Sequence, residues 1–245
     1  EFYIIKCYYI NLKFKLLISG GVIMNKSDKN VRNLTMIGML CAIAYAVMVI
    51  GRVPIVLFLK YDPKDVVITI GGFIFGPLSA FTISAIVSII EMFTVSDTGI
   101  IGCIMNILAS CSFACTAAFI YKKKHTLRGA VEGLLCGLIG MTIIMVLWNY
   151  LVTPIYLGYP REAVVELLLP AIIPFNLLKG GINMALVLLL YKHVVNALRR
   201  AKMIDLSKNS AEQSTVTKNN TGVMLVAVVI LATAILLALV LKGVI

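Results

Sequence analysis

Residues 100–125, IIGCIMNILASCSFACTAAFIYKKKH, show the pattern that decides the fold. Residues 100–121 contain no charged side chain, and a basic cluster at residues 122–125 follows them directly. An apolar run of about 18 residues or more is long enough to cross the hydrocarbon core of a bilayer. Because Lys and Arg are retained on the cytoplasmic side, we expect a transmembrane helix whose basic end faces the cytoplasm.

The composition extends this pattern to the whole chain. Of its 245 residues, 60% are hydrophobic and 13% are charged, and the mean hydropathy is +1.00. Soluble domains are roughly 45–50% apolar, so the composition excludes an ordinary soluble protein. It predicts an all-α, polytopic protein of the cell membrane. The formal net charge of +11 records topology in such a chain, and it does not indicate a nucleic-acid partner.

Residues 24–200 are predicted to form a six-helix membrane domain. Its second span is short and ends at Gly76-Pro77, and residues 153–169 are expected to form a loop. Basic residues before the first span, after the fourth and after the sixth agree with one topology, in which both ends of the domain face the cytoplasm. The predicted spans are residues 33–50, 66–75, 78–95, 100–121, 129–152 and 171–191.

The segments outside this domain are predicted to differ in kind. Residues 201–221 form a polar linker rich in Ser, Asn, Lys and Thr. Residues 222–245 form an additional transmembrane helix, which is expected to anchor in lipid rather than dock on a partner, because apolar surface alone gives no drive to associate in lipid. Residues 1–23 precede Met24 and begin with Glu-Phe, which a GAATTC cloning site encodes. We interpret them as translated upstream DNA; the alternative is an amphipathic anchor.

No catalytic or metal-binding set is expected. The six cysteines lie almost entirely in apolar runs without a CxxC pair, and we interpret them as small buried hydrophobes. The chain has no GxxxxGK[ST] phosphate loop and no HExxH motif. If it moves a solute, another subunit or an ion gradient must therefore supply the energy.

Polar residues within the spans carry the functional information. A Lys near the middle of a span costs roughly 2.5–3.5 kcal/mol on insertion scales, and Lys179 has no acidic residue in its own helix. Asn176, Lys179 and Asn183 fall on one helix face, and Asn149 lies at the same predicted depth in the preceding span. With aromatic residues beside it, this cluster predicts a pocket for a flat heteroaromatic ligand that would satisfy the ammonium. The aromatic neighbours are Trp148, Tyr150 and Phe175.

Each of these features also has a purely structural interpretation. Asn in a membrane helix often bonds a neighbouring helix, and Lys often snorkels to the interface. Gly38, Ala42 and Ala46 form a small-xxx-small stripe, which serves either packing within the bundle or docking of a membrane partner. Residues 60–65 are by default a solvated loop, although Pro63 stiffens them and they could cover the polar cluster as a lid.

Four motifs follow one another along the predicted spans. They are Leu59-Lys60-Tyr61-Asp62-Pro63-Lys64-Asp65-Val66, Phe75-Gly76-Pro77-Leu78, Trp148-Asn149-Tyr150 with Pro154-Ile155-Tyr156, and Pro174-Phe175-Asn176-Leu177-Leu178-Lys179-Gly180. No single motif is specific, but their order and spacing across six spans make a chance similarity improbable. Together, over about residues 33–200, they resemble the riboflavin-specific S components of energy-coupling factor (ECF) vitamin transporters.

The resemblance implies a non-enzymatic subunit that captures extracellular riboflavin below the loop after span one. It implies that Asn149, Asn176 and Lys179 bond the isoalloxazine ring, and we add Tyr150, Phe175 and Tyr61 as candidate ligand contacts. It also implies that Gly38, Ala42 and Ala46 dock on a transmembrane coupling subunit, with two ATPase subunits completing the complex. Riboflavin is then the transported ligand and no cofactor is expected. The additional helix is not part of the six-helix pattern.

Three alternatives stay open. The chain could be an S component for another vitamin, with the same scaffold and a different pocket. It could be a self-sufficient secondary transporter, for which Glu91 is the only well-placed intramembrane acid. A membrane enzyme comes third, since no nucleophile and base are paired in the sequence.

Overall fold

The computed structural model describes residues 26–56, 59–158, 160–200, 228–229 and 232–233. The interpretations of residues 1–23 and of the linker lie outside these residues, as does nearly all of the additional helix. The chain divides into two compact units, residues 1–36 and residues 37–245. The described part of the first unit, residues 26–36, is helical, and the second unit forms the helical bundle.

Helices account for most of the described chain, and their order follows the predicted spans. Two five-residue π-helical turns, Cys111–Cys115 and Leu168–Ile172, connect consecutive helices without a break. The elements are α1 (Lys26–Gly51), β1 (Val53–Val56), β2 (Leu59–Tyr61), α2 (Lys64–Phe75), α3 (Pro77–Thr94), α4 (Gly99–Ser110), α5 (Thr116–Lys124), α6 (Leu127–Leu157), α7 (Arg161–Leu167) and α8 (Ile173–Arg200).

Within the part of the chain that the structure describes, five helical segments are long and apolar enough to cross a membrane, and they confirm the all-α, polytopic fold class. They are Val31–Gly51, Pro77–Thr94, Gly99–Lys124, Leu127–Ile155 and Arg161–Tyr191. The predicted second span corresponds to α2, which has only 12 residues, whereas a spanning helix needs about 20.

Helix α2 lies inside the bundle rather than at its edge. Val66, Ile70 and Phe73 are buried on one face of the helix, and Ile68 is buried on the opposite face. A helix that is apolar all round must be covered by other elements, and α3, α5 and α8 pack against it. The helix ends at Gly76, whose φ of +99° is open to glycine.

Glycines on α6 allow a close helix contact that the sequence analysis overlooked. A Cβ at Gly133 would lie 2.7 Å from the Ala117 carbonyl oxygen, and a Cβ at Gly137 would lie 2.5 Å from the Phe113 carbonyl oxygen. These two glycines are four residues apart, so they present one small-residue face on which the π-turn and α5 pack.

The Gly38, Ala42 and Ala46 stripe lies on the outer face of α1. All three residues are exposed, whereas Leu40 and Ala44 on the opposite face are buried. A Cβ added at Gly38 would meet no heavy atom within 4 Å. The interpretation of the stripe as packing within the bundle is therefore wrong for the described residues.

Two connections differ from the expected loops. The chain after α1 forms an antiparallel hairpin in which Val53 pairs with Tyr61. The predicted loop at residues 153–169 is wrong, because α6 continues through Pro154 to Leu157 and α7 follows at Arg161. Pro154 lies within the last turn of α6, and the helix ends beyond it at Gly158, whose φ is +69°.

Candidate functional site

A cavity of about 240 Å³ opens among the ends of several elements. Arg52 follows α1, Leu59 belongs to β2, and residues 96–98 connect α3 to α4; all of these line the cavity. Helices α4, α6 and α8 contribute Met105, Asn106, Ala109, Met145, Asn149, Phe175, Asn176 and Lys179, and the charged residues Lys60, Asp62 and Glu91 complete the lining. The cavity thus combines apolar surface with amides and charges.

The predicted meeting of the amides and the ammonium is confirmed. Asn149 on α6 and Asn176 and Lys179 on α8 all line the same cavity, and each is at most 6% exposed. Asn183, one turn further along α8, is fully buried and hydrogen-bonded to Asp65. The helical spacing that predicted a shared face therefore holds for all three α8 residues.

Two of the three cavity amides, Asn149 and Asn176, are held by their own helices. Asn149 Nδ2 donates to the Met145 carbonyl at 2.7 Å, and Asn176 Nδ2 donates to the Ile172 carbonyl at 2.7 Å. Thr153 donates its hydroxyl to Asn149 Oδ1 at 3.0 Å. Since an amide nitrogen carries two N–H groups, each amide keeps a second donor while its orientation is fixed.

Lys179 has acidic partners from outside its helix. Its Nζ lies 3.3 Å from Asp65 Oδ2 and 4.0 Å from Asp62 Oδ1. The expectation that only a ligand would satisfy the ammonium is therefore wrong. The sequence could not show these partners, because they reach Lys179 only when α2 folds into the bundle.

A second group of ion pairs forms part of the cavity wall through Arg52, Asp62 and Glu91. Glu91 on α3 accepts from both Arg52 and Lys64, and Asp62 lies 3.8 Å from Arg52 and 3.9 Å from Lys64. With the Lys179 pairs, the cluster contains three cations and three carboxylates, so its formal charge is 3 − 3 = 0. Buried charges are tolerable when each is paired; the cluster comprises Arg52, Asp62, Lys64, Asp65, Glu91 and Lys179.

The end of the hairpin brings two ionisable groups together: Asp62 belongs to this cluster, and Tyr61 lies beside it. Burial acts to raise the pKa of Asp62, but the positive charges of Lys179, Lys64 and Arg52 outweigh it and hold the pKa below its ordinary value. Burial, reinforced by the charge of Asp65, raises the pKa of the Tyr61 hydroxyl. At neutral pH, Asp62 is therefore charged and Tyr61 is protonated.

The hairpin also forms part of the cavity rim. Lys60 lines the cavity, and its Nζ donates to Asp97 Oδ2 at 2.9 Å, which joins the hairpin to the connection between α3 and α4. This hydrogen bond and the charge of Lys60 lower the pKa of the exposed Asp97 carboxyl. The default expectation of a solvated loop is wrong at Asp62, Lys64 and Asp65, which are all buried.

The aromatic residues predicted to wall the pocket separate in the structure. Phe175 lines the cavity and is 5% exposed. Tyr150 is 38% exposed, lies outside the cavity lining, and packs its ring under the Arg161 guanidinium at 5.4 Å. Trp148 packs against the apolar core. Tyr61 is not in the lining either; its hydroxyl donates to Asn183 Oδ1 at 3.1 Å.

The basic cluster at residues 122–124 lies at the other end of the bundle. The hydroxyl oxygens of Tyr121 and Tyr191 are 2.6 Å apart, which brings the end of α5 beside the second half of α8. About 22 Å of helix separate Asn176 from Tyr191 at 1.5 Å per residue. Among the described residues no group of three or more His, Cys, Asp or Glu side chains fits a metal ion.

Apolar helices around a cavity with buried polar groups near one end define a polytopic membrane protein with a site for a small ligand. A family model described as "ECF transporter, substrate-specific component" matches residues 32–191, and the chain belongs to this family. The family consists of transporter components, so the chain is a transport protein subunit and not an enzyme.

Curated relatives and a solved structure agree with this assignment. The chain is 32% identical over 179 residues to riboflavin transporter RibU of Staphylococcus aureus, which covers 69% of this chain and 93% of the relative. It is 31% identical to riboflavin transporter FmnP of Bacillus subtilis over 61% of this chain and 85% of that one. A structure titled "Structure and mechanism of the S component of a bacterial ECF transporter" matches with a TM-score of 0.59 and 32% identity, over 69% of this chain and 98% of the other.

Proposed function

We propose that this chain is the S component that captures extracellular riboflavin in the plasma membrane. With a transmembrane coupling subunit and two ATPase subunits, it delivers the vitamin to the cytoplasm. The names of the relatives support riboflavin as the ligand. The positive-inside rule supports an outward-facing cavity, because the basic cluster in the last turn of α5 lies at the opposite end of the bundle.

The observation that carries the proposal is the convergence of Asn149, Asn176 and Lys179 on one cavity. The flavin ring system presents carbonyl oxygens and ring nitrogens along one edge, and amides and an ammonium can donate to them. Phe175, Met105 and Met145 supply apolar surface for the flat faces of the ring. Tyr150 and Tyr61 lie outside the lining, so their contact with the ligand stays a prediction from the sequence that the cavity geometry does not favour.

Docking on the coupling subunit is assigned to the stripe on α1. Gly38, Ala42 and Ala46 are exposed and present no large side chain, so a second helix can approach the α1 backbone closely. This surface lies on the face of α1 opposite the buried Leu40 and Ala44.

The geometry does not favour the secondary transporter. Coupling to protons or ions would require an intramembrane acid that is free to change its charge. Glu91 accepts from both Arg52 and Lys64 and is 1% exposed, so it acts as the partner of two cations.

A flavin titration tests the proposal. Detergent-purified protein is expected to be yellow and, after release of bound flavin, to quench riboflavin fluorescence at a stoichiometry of about one per chain. Thiamine, biotin and folate serve as competitors for the alternative S components. Absence of quenching, or displacement of riboflavin by another vitamin, would contradict the proposed ligand. Uptake that survives loss of the ATPase subunits would favour the secondary transporter.

A further inference from the structure

The carboxylate of Asp65 is the most completely partnered acid beside the cavity. Its Oδ2 lies 3.3 Å from Lys179 Nζ and accepts from Asn183 Nδ2 at 3.3 Å. Its Oδ1 accepts from the Ser110 hydroxyl at 2.5 Å. Asp65 is 0% exposed and is not among the cavity-lining residues. It therefore contacts the Lys179 ammonium from behind the cavity wall and does not line the cavity.

The partners of Asp65 are held in turn by other elements. The Tyr61 hydroxyl donates to Asn183 Oδ1 at 3.1 Å, which directs the Asn183 amide nitrogen toward Asp65. Tyr61 comes from β2, Ser110 from the end of α4 and Asn183 from α8, while Asp65 lies in the first turn of α2. The carboxylate therefore has one place in the fold, set by four elements.

The Lys179 ammonium needs a fixed partner if it is to keep one position. A Lys side chain is long and flexible, and its ammonium has three rotatable donors. Asp62 offers a competing carboxylate, but its Oδ1 is 4.0 Å from Lys179 Nζ, beyond hydrogen-bond distance. Asp65 is thus the acid that fixes where the ammonium stands, and a fixed donor loses less freedom when a ligand arrives.

We propose that Asp65 is a positioning residue for ligand capture, holding Lys179 at the cavity wall so that its other N–H groups meet the flavin. The inference rests on the proposed function. Asp65 does not contact the ligand, and Ser110, Asn183 and Tyr61 hold Asp65 in the orientation that this role requires.

A double-mutant cycle tests the inference, with riboflavin affinity measured by fluorescence titration. Asp65→Asn keeps the shape of the side chain and removes its charge. It is expected to weaken riboflavin binding about tenfold or more, as for a charge-assisted hydrogen bond, in a chain that retains Lys179. In a Lys179→Met background the same change is expected to alter affinity less than twofold, because Asp65 then has no ammonium to place. An equal loss in both backgrounds would indicate a merely structural role and would overturn the inference.

Ser110→Ala provides a second arm that removes no charge. It is expected to weaken binding about threefold in the chain with Lys179 and to have no effect in the Lys179→Met background, and equal effects would again contradict positioning. This arm decides the question if Asp65→Asn fails to yield folded protein. Failure of the unmodified chain to bind riboflavin would refute the proposed function, whereas normal binding without coupling would refute only the role of Asp65.

Discussion

At the scale of single residues, Lys179 is expected to contribute both to ligand binding and to the stability of the fold. It stands at the cavity wall and it neutralises Asp65. Lys179→Met keeps the length of the side chain and is expected to weaken riboflavin binding by about 1.5–3 kcal/mol, as for a hydrogen bond to a charged group. Unchanged affinity in a flavin fluorescence titration would exclude contact between Lys179 and the ligand.

The same substitution should also lower thermal stability. It leaves Asp65 buried without its cation, and breaking one side of a buried pair is strongly destabilising. Lys179→Met combined with Asp65→Asn removes the pair as a whole. The double variant is expected to unfold at a higher temperature than Lys179→Met alone, and to bind riboflavin no better. An unfolding temperature equal to or lower than that of Lys179→Met would contradict the pairing.

Asn149 and Tyr150 offer a matched comparison between neighbouring residues. Asn149 lines the cavity, whereas Tyr150 is partly exposed and packs with Arg161. Asn149→Ala is expected to weaken riboflavin binding by about 0.5–1.5 kcal/mol, the typical value of a neutral hydrogen bond. Tyr150→Ala is expected to change it little. The reverse order in the same titration would show that the ligand lies outside this cavity.

How far the sequence predicts the site depends on whether contacts are local. Asn176, Lys179 and Asn183 share a face because helix geometry fixes their relative directions within one element, and that prediction was confirmed. The acid partners Asp62 and Asp65 lie more than a hundred residues away in the chain. Their contact with Lys179 depends on the packing of α2, so spacing alone could not predict it. The one available signal was a pair of acids directly before a short apolar run.

At the scale of elements, the two small-residue stripes of α1 and α6 have different surroundings. The sequence shows the same spacing in both, and only packing distinguishes them. Gly137 lies against the Phe113 backbone, whereas nothing lies within 4 Å of a Cβ at Gly38. Gly137→Ala is expected to destabilise the protein by about 1–3 kcal/mol, as in overpacked cores. Gly38→Ala is the control. It is expected to leave the thermal unfolding temperature of the protein in detergent unchanged or slightly higher.

The α1 stripe should matter for uptake and not for binding. Ala42→Trp adds a large side chain to an exposed position outside the cavity, so riboflavin affinity is expected to stay unchanged. Uptake is expected to fall to background, because the bulk blocks close approach of the coupling subunit. Ile143→Trp, at an exposed apolar position of α6, is the control and should transport normally. Normal uptake by Ala42→Trp would show that α1 does not dock through this stripe.

The connections were the least predictable elements. Polar residues and Pro154 indicated a loop after the fifth span, yet most of these residues belong to α6 and α7. A proline near the end of a helix removes only one hydrogen bond of the last turn, so a break was not required. The β1–β2 hairpin was missed because strands of four and three residues are too short to show alternation.

At the scale of the whole molecule, the buried cluster joins the end of α1, the hairpin, α2, α3 and α8 through balanced charges. The apolar surface of the chain faces lipid, where it contributes little drive for helices to associate. Paired charges and hydrogen bonds across five elements therefore specify how the cavity end of the bundle is assembled. A charge balance of this kind also makes stability depend on pH.

Folding stability is expected to fall at both acid and alkaline pH, for a different reason at each. Asp62 has a lowered pKa in the folded chain, so its contribution is present above the ordinary Asp value of about 4 and is lost as the pH falls through the folded-state value. Tyr61 has a raised pKa, so the folded state loses stability above the ordinary Tyr value of about 10, where only the unfolded chain ionises. The thermal unfolding temperature of the protein in detergent is therefore expected to be constant from about pH 5 to 9 and to fall on either side.

Asp62→Asn is expected to reduce the fall at acid pH, and Tyr61→Phe is expected to reduce the fall at alkaline pH, each measured relative to the variant's own value between about pH 5 and 9. If the unfolding temperature falls as steeply with pH in both variants as in the unmodified chain, other groups set the pH dependence.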